Sequence, residues 1–387
     1  MKFALYEVGD GGVGARILRG SVSGLPDHFH VTLSEGHSRL RLALEDVLTT
    51  VDDPETLVAA VDDALMGPLR DYHIVAVGHR VVHGGRHGTG PARVSEALLD
   101  ELETLASLAP MHQHRNLMGV RAIAARWPNL IQTLSFDTAF HRDQGPNSRL
   151  FALPSKLSED GVVRFGFHGL SYAHVANRLP EVFQGHRHDR TVAAHLGSGA
   201  SLCALRQGRS VATTMGMTAL GGLPMRTRSG DLDPGVVLHL LQDRGMSVSR
   251  VSELLYEESG LSGMTGTSGD VRVLLNSEAE EARLALDYFC HRVAQGISSL
   301  AVSLDGLDAV VFTGGIGEHA AWVRERVCHD LRWMGIVLDP LANTDAKPVI
   351  SAPESEIAVA VVPADEERII AREALEVLAA EIAAARS

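Results

Sequence analysis

Two short stretches carry the residue types that handle anions. One is a Gly197-Ser198-Gly199 turn set between apolar runs at 191–196 and 202–206. The other is Arg226-Thr227-Arg228-Ser229-Gly230-Asp231, reached after a glycine-rich link. Glycine lets backbone N–H groups approach an oxyanion closely, and a guanidinium grips two of its oxygens at once. A glycine turn on a strand, followed by fixed positive charge, points to nucleotide phosphates and phosphoryl transfer.

Other segments add candidates. In Gly78-His79-Arg80-Val81-Val82-His83-Gly84-Gly85, an arginine closes an apolar run. It is either a clamp for a carboxylate or phosphate, or a surface arginine on a loop. Ser135-Phe136-Asp137-Thr138 puts an acid where a strand ends, the edge at which α/β sheets hold ligands; a turn cap is the other reading. His168 stands between Phe167 and Gly169; flanked by glycine, it is a better candidate than most of the 19 histidines, with a structural histidine as the other reading. Thr313-Gly314-Gly315-Ile316-Gly317-Glu318 runs from a strand into a helix, a place for an anion or a flat base. It is neither a Walker A sequence nor a dinucleotide fingerprint. Ser268-Gly269-Asp270-Val271-Arg272 and Asp365-Glu366-Glu367 place carboxylates beside turns, as caps or, for Glu366, as a water-linked Mg²⁺ contact.

The elements that must position these residues alternate. Strand-like runs fall at 3–8, 15–19, 30–33, 74–77, 131–136, 191–196, 202–206, 210–214, 309–313 and 357–362. Helical patterns fall at 96–107, 115–126, 234–244, 280–303, 320–334 and 366–385. Asp233-Pro234 reads as an N-cap with proline at the first helical position, and Asp52-Asp53-Pro54 as a loop. The alternation gives an α/β fold. The strand, glycine turn and strand after residue 191 have a partial echo at the start, where 3–8, Gly9-Asp10-Gly11-Gly12 and 15–19 match only the later unit's second and third strands.

A chain of 387 residues suggests two domains. Its formal net charge of −13 speaks against a general nucleic-acid binder. Cys203, Cys290 and Cys328 lack paired spacing, which fits a reducing cytosol and no zinc site. No apolar run is long enough to span a membrane.

Taken in order, from Lys2 to about Glu373, these motifs resemble the acetate kinase family. The resemblance implies two duplicated actin-like (ribonuclease H-like) domains around an ATP cleft: 1–138 with a returning 369–387, and 139–368. It implies reversible transfer from ATP to the carboxylate of acetate or propionate, Mg²⁺ (or Mn²⁺) as the metal, ATP and ADP as nucleotides, a homodimer and a cytoplasmic setting. Arg80 and Arg228 would hold the acyl carboxylate and the moving phosphoryl group. Asp137 is the active-site acid, expected to orient a positive partner or a metal's water, and His168 contacts the phosphoryl group. Lys2, His195, Leu196, Gly197, Ser198 and Gly199 correspond to nucleotide contacts. So do Asp270, Val271 and Arg272, with Gly314, Gly315, Ile316 and Gly317. Glu366 is the metal-linked acid. Val82, Met111, Phe167 and Ala219 line the acyl pocket.

The chain departs from the family at Ser198 (usually asparagine), Arg226 (glycine), Ala219 (proline) and Met111 (leucine). The last two suggest tolerance for propionate, where one methylene is worth about 1–3 kcal/mol. Family members also open with a strand and an Asn-Ala-Gly-Ser-Ser-Ser turn, whereas here Met1 directly precedes Lys2-Phe3. The expectation is a start codon assigned too far downstream; the alternative is a non-catalytic nucleotide-binding paralogue.

Overall fold

A computed structural model describes residues 2–9, 11–23, 30–35, 38–42, 72–86, 88–110 and 112–386. Met111 and the Asp52-Asp53-Pro54 turn lie outside them. The chain divides into two compact units, Met1–Ala139 with Asp365–Ser387, and Phe140–Ala364.

The first unit begins with an antiparallel meander of β1 (Lys2–Gly9), β2 (Gly12–Ser23), β3 (His30–Glu35) and β4 (Ser38–Leu42). A second sheet contains β5 (Ala76–Val81), β6 (Ala92–Arg93) and β7 (Ile131–Phe136), in the order β5-β7-β6. β5 and β7 run parallel, with Arg80 opposite Ser135 and Val81 opposite Phe136. The run expected at 74–77 is therefore corrected: pairing starts at Ala76 and continues through Gly78 to Val81. Gly78 reads as a break in sequence, but it is the point where the C-terminal helix Glu366–Arg386 approaches the sheet. A Cβ there would lie 2.5 Å from Ile370 Cγ2. The glycine thus permits close helix packing within a strand. On the opposite face Val81, Leu134 and Phe136 pack with Leu99, Leu102, Leu117 and Val120 of the helices Glu96–Glu103 and Gln113–Arg126.

The second unit has one five-stranded sheet: β8 (Arg190–Leu196), β9 (Ala200–Arg206), β10 (Arg209–Thr213), β11 (Ala309–Thr313) and β12 (Ala358–Val361). Its order is β10-β9-β8-β11-β12. β9 runs antiparallel to both neighbours, while β11 runs parallel to β8 and β12. This mixed sheet has the ribonuclease H-like strand plan that the family resemblance implies. Strands buried on both faces read as continuous apolar runs, as β8 and β11 do. Ala193, Cys203, Leu205 and Val311 meet Tyr172, Val175, Leu179 and Phe183 of the helix Gly169–Val182. The long helix Glu280–Leu304 packs against β8 and β9. It comes so close that a Cβ on Gly296 would lie 2.5 Å from Leu202 Cδ1.

The helix Gly169–Val182 lacks a sequence signature because it starts with glycine, has no side-chain cap and contains Pro180. Burial of one apolar face carries it instead. In the second unit β8 joins β9 to β11; in the first, no strand among the described residues joins β1 to β5.

Candidate active site

In the first unit the functional side chains gather at the C-terminal ends of β5 and β7. Parallel pairing brings Arg80 level with Ser135, and Asp137 follows β7 with its N–H donating to Val81 O at 3.1 Å. Arg80 then donates Nε to Asp137 Oδ1 at 2.9 Å and Nη2 to Oδ2 at 2.6 Å. The Asp137 side chain is only 2% exposed, whereas that of Arg80 is 39% exposed. Glu366, at the start of the C-terminal helix, lies 3.8 Å from Arg80 Nη1. Burial works against the Arg80 charge, but Asp137, Glu366 and Glu367 outweigh it and hold its pKa above the ordinary arginine value. Arg80 is thus a fixed cation, aimed by one carboxylate and still open to solvent.

Around it, Tyr6 Oη donates to Asp365 Oδ1 at 2.8 Å, and Arg19 lies 3.5 Å from Glu367. Val82 is buried beside Arg80, and its N–H donates to Asn116 Oδ1 at 3.3 Å. Lys2 opens β1, opposite Ser21, with an exposed side chain.

In the second unit the β8–β9 hairpin places the glycine turn. Gly197 N–H donates to Gly199 O at 2.9 Å, leaving Ser198 exposed at the tip. His168 sits just before the helix Gly169–Val182 with a left-handed backbone, φ +59°, uncommon outside glycine. Its ring stacks on His195 with centroids 4.3 Å apart. His195 Nδ1 in turn lies 2.8 Å from Ser171 Oγ. A Cβ added to Gly199 would lie 3.1 Å from His168 Nε2 and 3.5 Å from Arg228 Nη2. One glycine therefore marks where a histidine and an arginine converge.

Arg228 is aimed by its Nη1, which donates to Ala219 O at 2.7 Å, and Ala219 itself is buried. Its loop is tied down by Met225 N–H to Arg228 O at 3.0 Å and Gly222 N–H to Asp231 Oδ1 at 2.6 Å. Asp233 caps the helix Pro234–Gln242 by accepting from Gly235 N–H, as its Asp-Pro pair suggests. Phe167 is buried next to His168.

The remaining predicted segments surround the same hairpin. Gly314 has φ +78°, and a Cβ there would lie 2.7 Å from Leu196 O, so the turn after β11 packs onto the end of β8. Gly317 is buried, Gly315 exposed and Ile316 half-buried. Asp270 accepts from Arg272 N–H at 2.9 Å as the cap of the helix Val271–Leu275, and Val271 is buried. The hydrogen bond from the Arg272 side chain, helped by its backbone and by Arg226, brings the Asp270 pKa down to about 2. Arg226 links these pieces: its N–H donates to Ser198 O at 3.3 Å and its Nε to Ser268 O at 2.8 Å.

Among the described residues no three His, Cys, Asp or Glu side chains cluster to hold a metal ion by themselves. A half-buried Glu366 next to Arg80 fits the other mode, in which Mg²⁺ keeps several waters and binds through one or two carboxylates and substrate phosphates. Two residues escaped sequence reasoning: Ser201 and Tyr172, both fully buried and hydrogen-bonded behind His168. The only sequence signal was a serine inside the apolar run of β9.

The described residues contain no helix long and apolar enough to cross a membrane, and all three cysteines are buried free thiols. The family model described as the Acetokinase family matches residues 2–372. An acetate kinase of Rhodopseudomonas palustris (strain TIE-1) is 44% identical over 385 residues, covering 96% of this chain and 94% of that protein. One of Methylocella silvestris is 48% identical over 308 residues, covering 80% and 76%. Among solved structures, a propionate kinase of Francisella tularensis superposes with a TM-score of 0.88 at 30% identity, covering 97% of this chain and 96% of that one. The acetate kinase of Porphyromonas gingivalis superposes with a TM-score of 0.83 at 34% identity, with the same coverage.

Proposed function

The chain belongs to the acetokinase family, and we infer from this that it works as an acetate kinase: reversible phosphoryl transfer from ATP to the carboxylate of acetate, giving acetyl phosphate and ADP. The observation that carries this reading is a family match running through almost the whole chain. It is an ATP-dependent carboxylate kinase, and the family uses a divalent metal. None of the comparisons speaks for a non-catalytic paralogue.

Acetate is already ionised at neutral pH, so the reaction needs no strong base. Its obstacle is bringing an anion to a polyanion, and the roles of the side chains follow from that. Arg80, held rigid by Asp137, takes the acetate carboxylate. That geometry supports Asp137 as an orienting acid, since both its oxygens are occupied by the guanidinium. His168 and Arg228 donate to the equatorial oxygens of the phosphoryl group, where charge spreads in the transition state. The Gly197-Ser198-Gly199 turn takes the nucleotide phosphates, with Lys2 as a further cation. The segments at Asp270, Val271 and Arg272 and at Gly314 to Gly317 take the rest of the nucleotide. Glu366 would hold Mg²⁺ through water, and the ion would offset phosphate charge there. Val82, Phe167 and Ala219 give the acyl group apolar walls, with Met111 assigned by resemblance. Ala219 leaves room for propionate as a second substrate. A cytoplasmic setting and a homodimer complete the reading; three buried free thiols suit a reducing compartment, and the dimer is carried over from the family resemblance.

A hydroxylamine trap for acyl phosphate, run with ATP and acetate, propionate, butyrate or glucose, tests this. Acetyl hydroxamate should form fastest, propionyl hydroxamate next, and nothing from glucose. Glucose-dependent ADP release without hydroxamate would refute it.

A further inference from the structure

Behind His168 lies a short hydrogen-bonded chain. His168 Nδ1 is 2.8 Å from Ser201 Oγ, and Ser201 Oγ is 2.6 Å from Tyr172 Oη. Ser201 and Tyr172 are fully buried and His168 is nearly so. The other ring nitrogen, Nε2, is the one that faces Gly199. From this geometry we propose that Ser201 and Tyr172 are positioning residues that fix the tautomer of His168, so that Nε2 carries the proton and donates to the phosphoryl oxygens. The proposal rests on the role given to His168 above.

The direction of each bond follows from counting donors and acceptors. Burial pushes the Tyr172 hydroxyl well above its ordinary pKa, so the hydroxyl keeps its proton. The buried Tyr172 hydroxyl has Ser201 Oγ as its hydrogen-bond partner at 2.6 Å, so the Tyr172 proton goes there. The Ser201 proton then has His168 Nδ1 as its acceptor. An acceptor at Nδ1 requires the neutral ring to carry hydrogen on Nε2. With the proton on Nδ1 instead, the Ser201 hydroxyl hydrogen would lose this acceptor in a buried site, which is costly. The stacked His195 ring and the left-handed backbone at His168 hold the imidazole in the plane that this chain needs. A phosphoryl oxygen arriving at Gly199 thus meets a donor whose orientation is already set.

Two substitutions and two readouts test this. In ¹⁵N-histidine NMR the parent protein should show His168 as the neutral Nε2–H tautomer. Ser201→Ala, which removes the donor to Nδ1, and Tyr172→Phe, which keeps the ring in the core but frees the Ser201 hydroxyl, should each give a mixture of tautomers. Each should lower kcat, Ser201→Ala by about tenfold or more, as loss of an orienting partner typically does. The KM values for ATP and acetate should change less than about twofold, because the interaction belongs to the transition state. Ser201→Thr, which keeps a hydroxyl, should retain the parent tautomer. An Nδ1–H tautomer in the parent protein overturns the proposal. So does a tautomer unchanged in both variants, whatever happens to kcat. If the parent protein made no acetyl phosphate, the functional reading would fall, and the tautomer would still decide the chain of hydrogen bonds.

Discussion

Arg80 and Asp137 form a two-pronged pair, Nε to Oδ1 at 2.9 Å and Nη2 to Oδ2 at 2.6 Å, across the C-terminal ends of two parallel strands. A buried acid here fixes the aim of a half-exposed base. Asp137→Asn keeps the shape but removes the charge that faces the guanidinium. Its kcat should fall about a hundredfold or more, comparable to losing one preorganised donor at about 2.7–4 kcal/mol. Arg80→Lys should fare little better, because an ammonium cannot reproduce the fork. Near-normal steady-state turnover in Asp137→Asn would remove the orienting role.

Arg228 is aimed by a backbone carbonyl, that of Ala219. Arg228→Ala should lower kcat and kcat/KM together, by about 10²–10³. Acetate KM measured beside kcat checks this. A higher acetate KM with kcat intact would reassign the residue to ground-state binding.

Gly199 and Gly260 give opposite expectations. Gly199 is outside the left-handed region, and the atoms nearest its missing Cβ are side-chain atoms of His168 and Arg228. Gly199→Ala should melt near the parent temperature yet lose most activity. Gly260 has φ +61°, and its Cβ would lie 2.2 Å from Met225 O and 2.7 Å from Arg228 O. Left-handed strain alone costs about 1–3 kcal/mol, and backbone must shift as well. Gly260→Ala should therefore lose both stability and activity, as denaturant unfolding beside the activity assay would reveal.

How far the sequence went depends on what each residue needs. Local signals were legible: β7 and β11 have the bounds expected at 131–136 and 309–313, and Asp233 caps its helix. The run expected at 74–77 stopped short of Gly78, which lies inside β5 where the C-terminal helix packs on it. The helix Gly169–Val182 was missed because its stability comes from packing and its cap is a left-handed histidine. The Arg80–Asp137 pair joins residues far apart in the chain, so sequence could nominate each but not their bond. Ser201 and Tyr172 behind His168 were illegible for the same reason.

Arg226, where the family has glycine, touches both the glycine turn and the Asp270 segment. Arg226→Gly should weaken ATP and ADP binding by about threefold to tenfold, in the range of one ordinary hydrogen bond at about 0.5–1.5 kcal/mol. Calorimetric titration with ADP would measure it. Acetate KM should not move.

Two histidines, buried His141 and half-buried His79, link stability to pH. Burial pulls His141 and His79 down from 6.5 to about 4. A hydrogen bond to Phe167 O pulls His141 the other way without prevailing. Both are neutral in the folded protein where the unfolded chain already binds protons. Their stability contribution is complete above about pH 6.5 and is lost as pH falls through about 4. Denaturant midpoints should therefore drop over that window, and His141→Asn should flatten the slope. An equal slope in the variant would place the acid sensitivity elsewhere.

The central claim is that the acetate carboxylate attacks phosphorus. The most direct measurement is ³¹P NMR of the acetyl phosphate made from unlabelled ATP and [¹⁸O₂]acetate with Mg²⁺. The account predicts ADP as the other product and an isotope-shifted signal, because the bridging oxygen comes from acetate. An unshifted signal, or AMP and pyrophosphate in place of ADP, would contradict it.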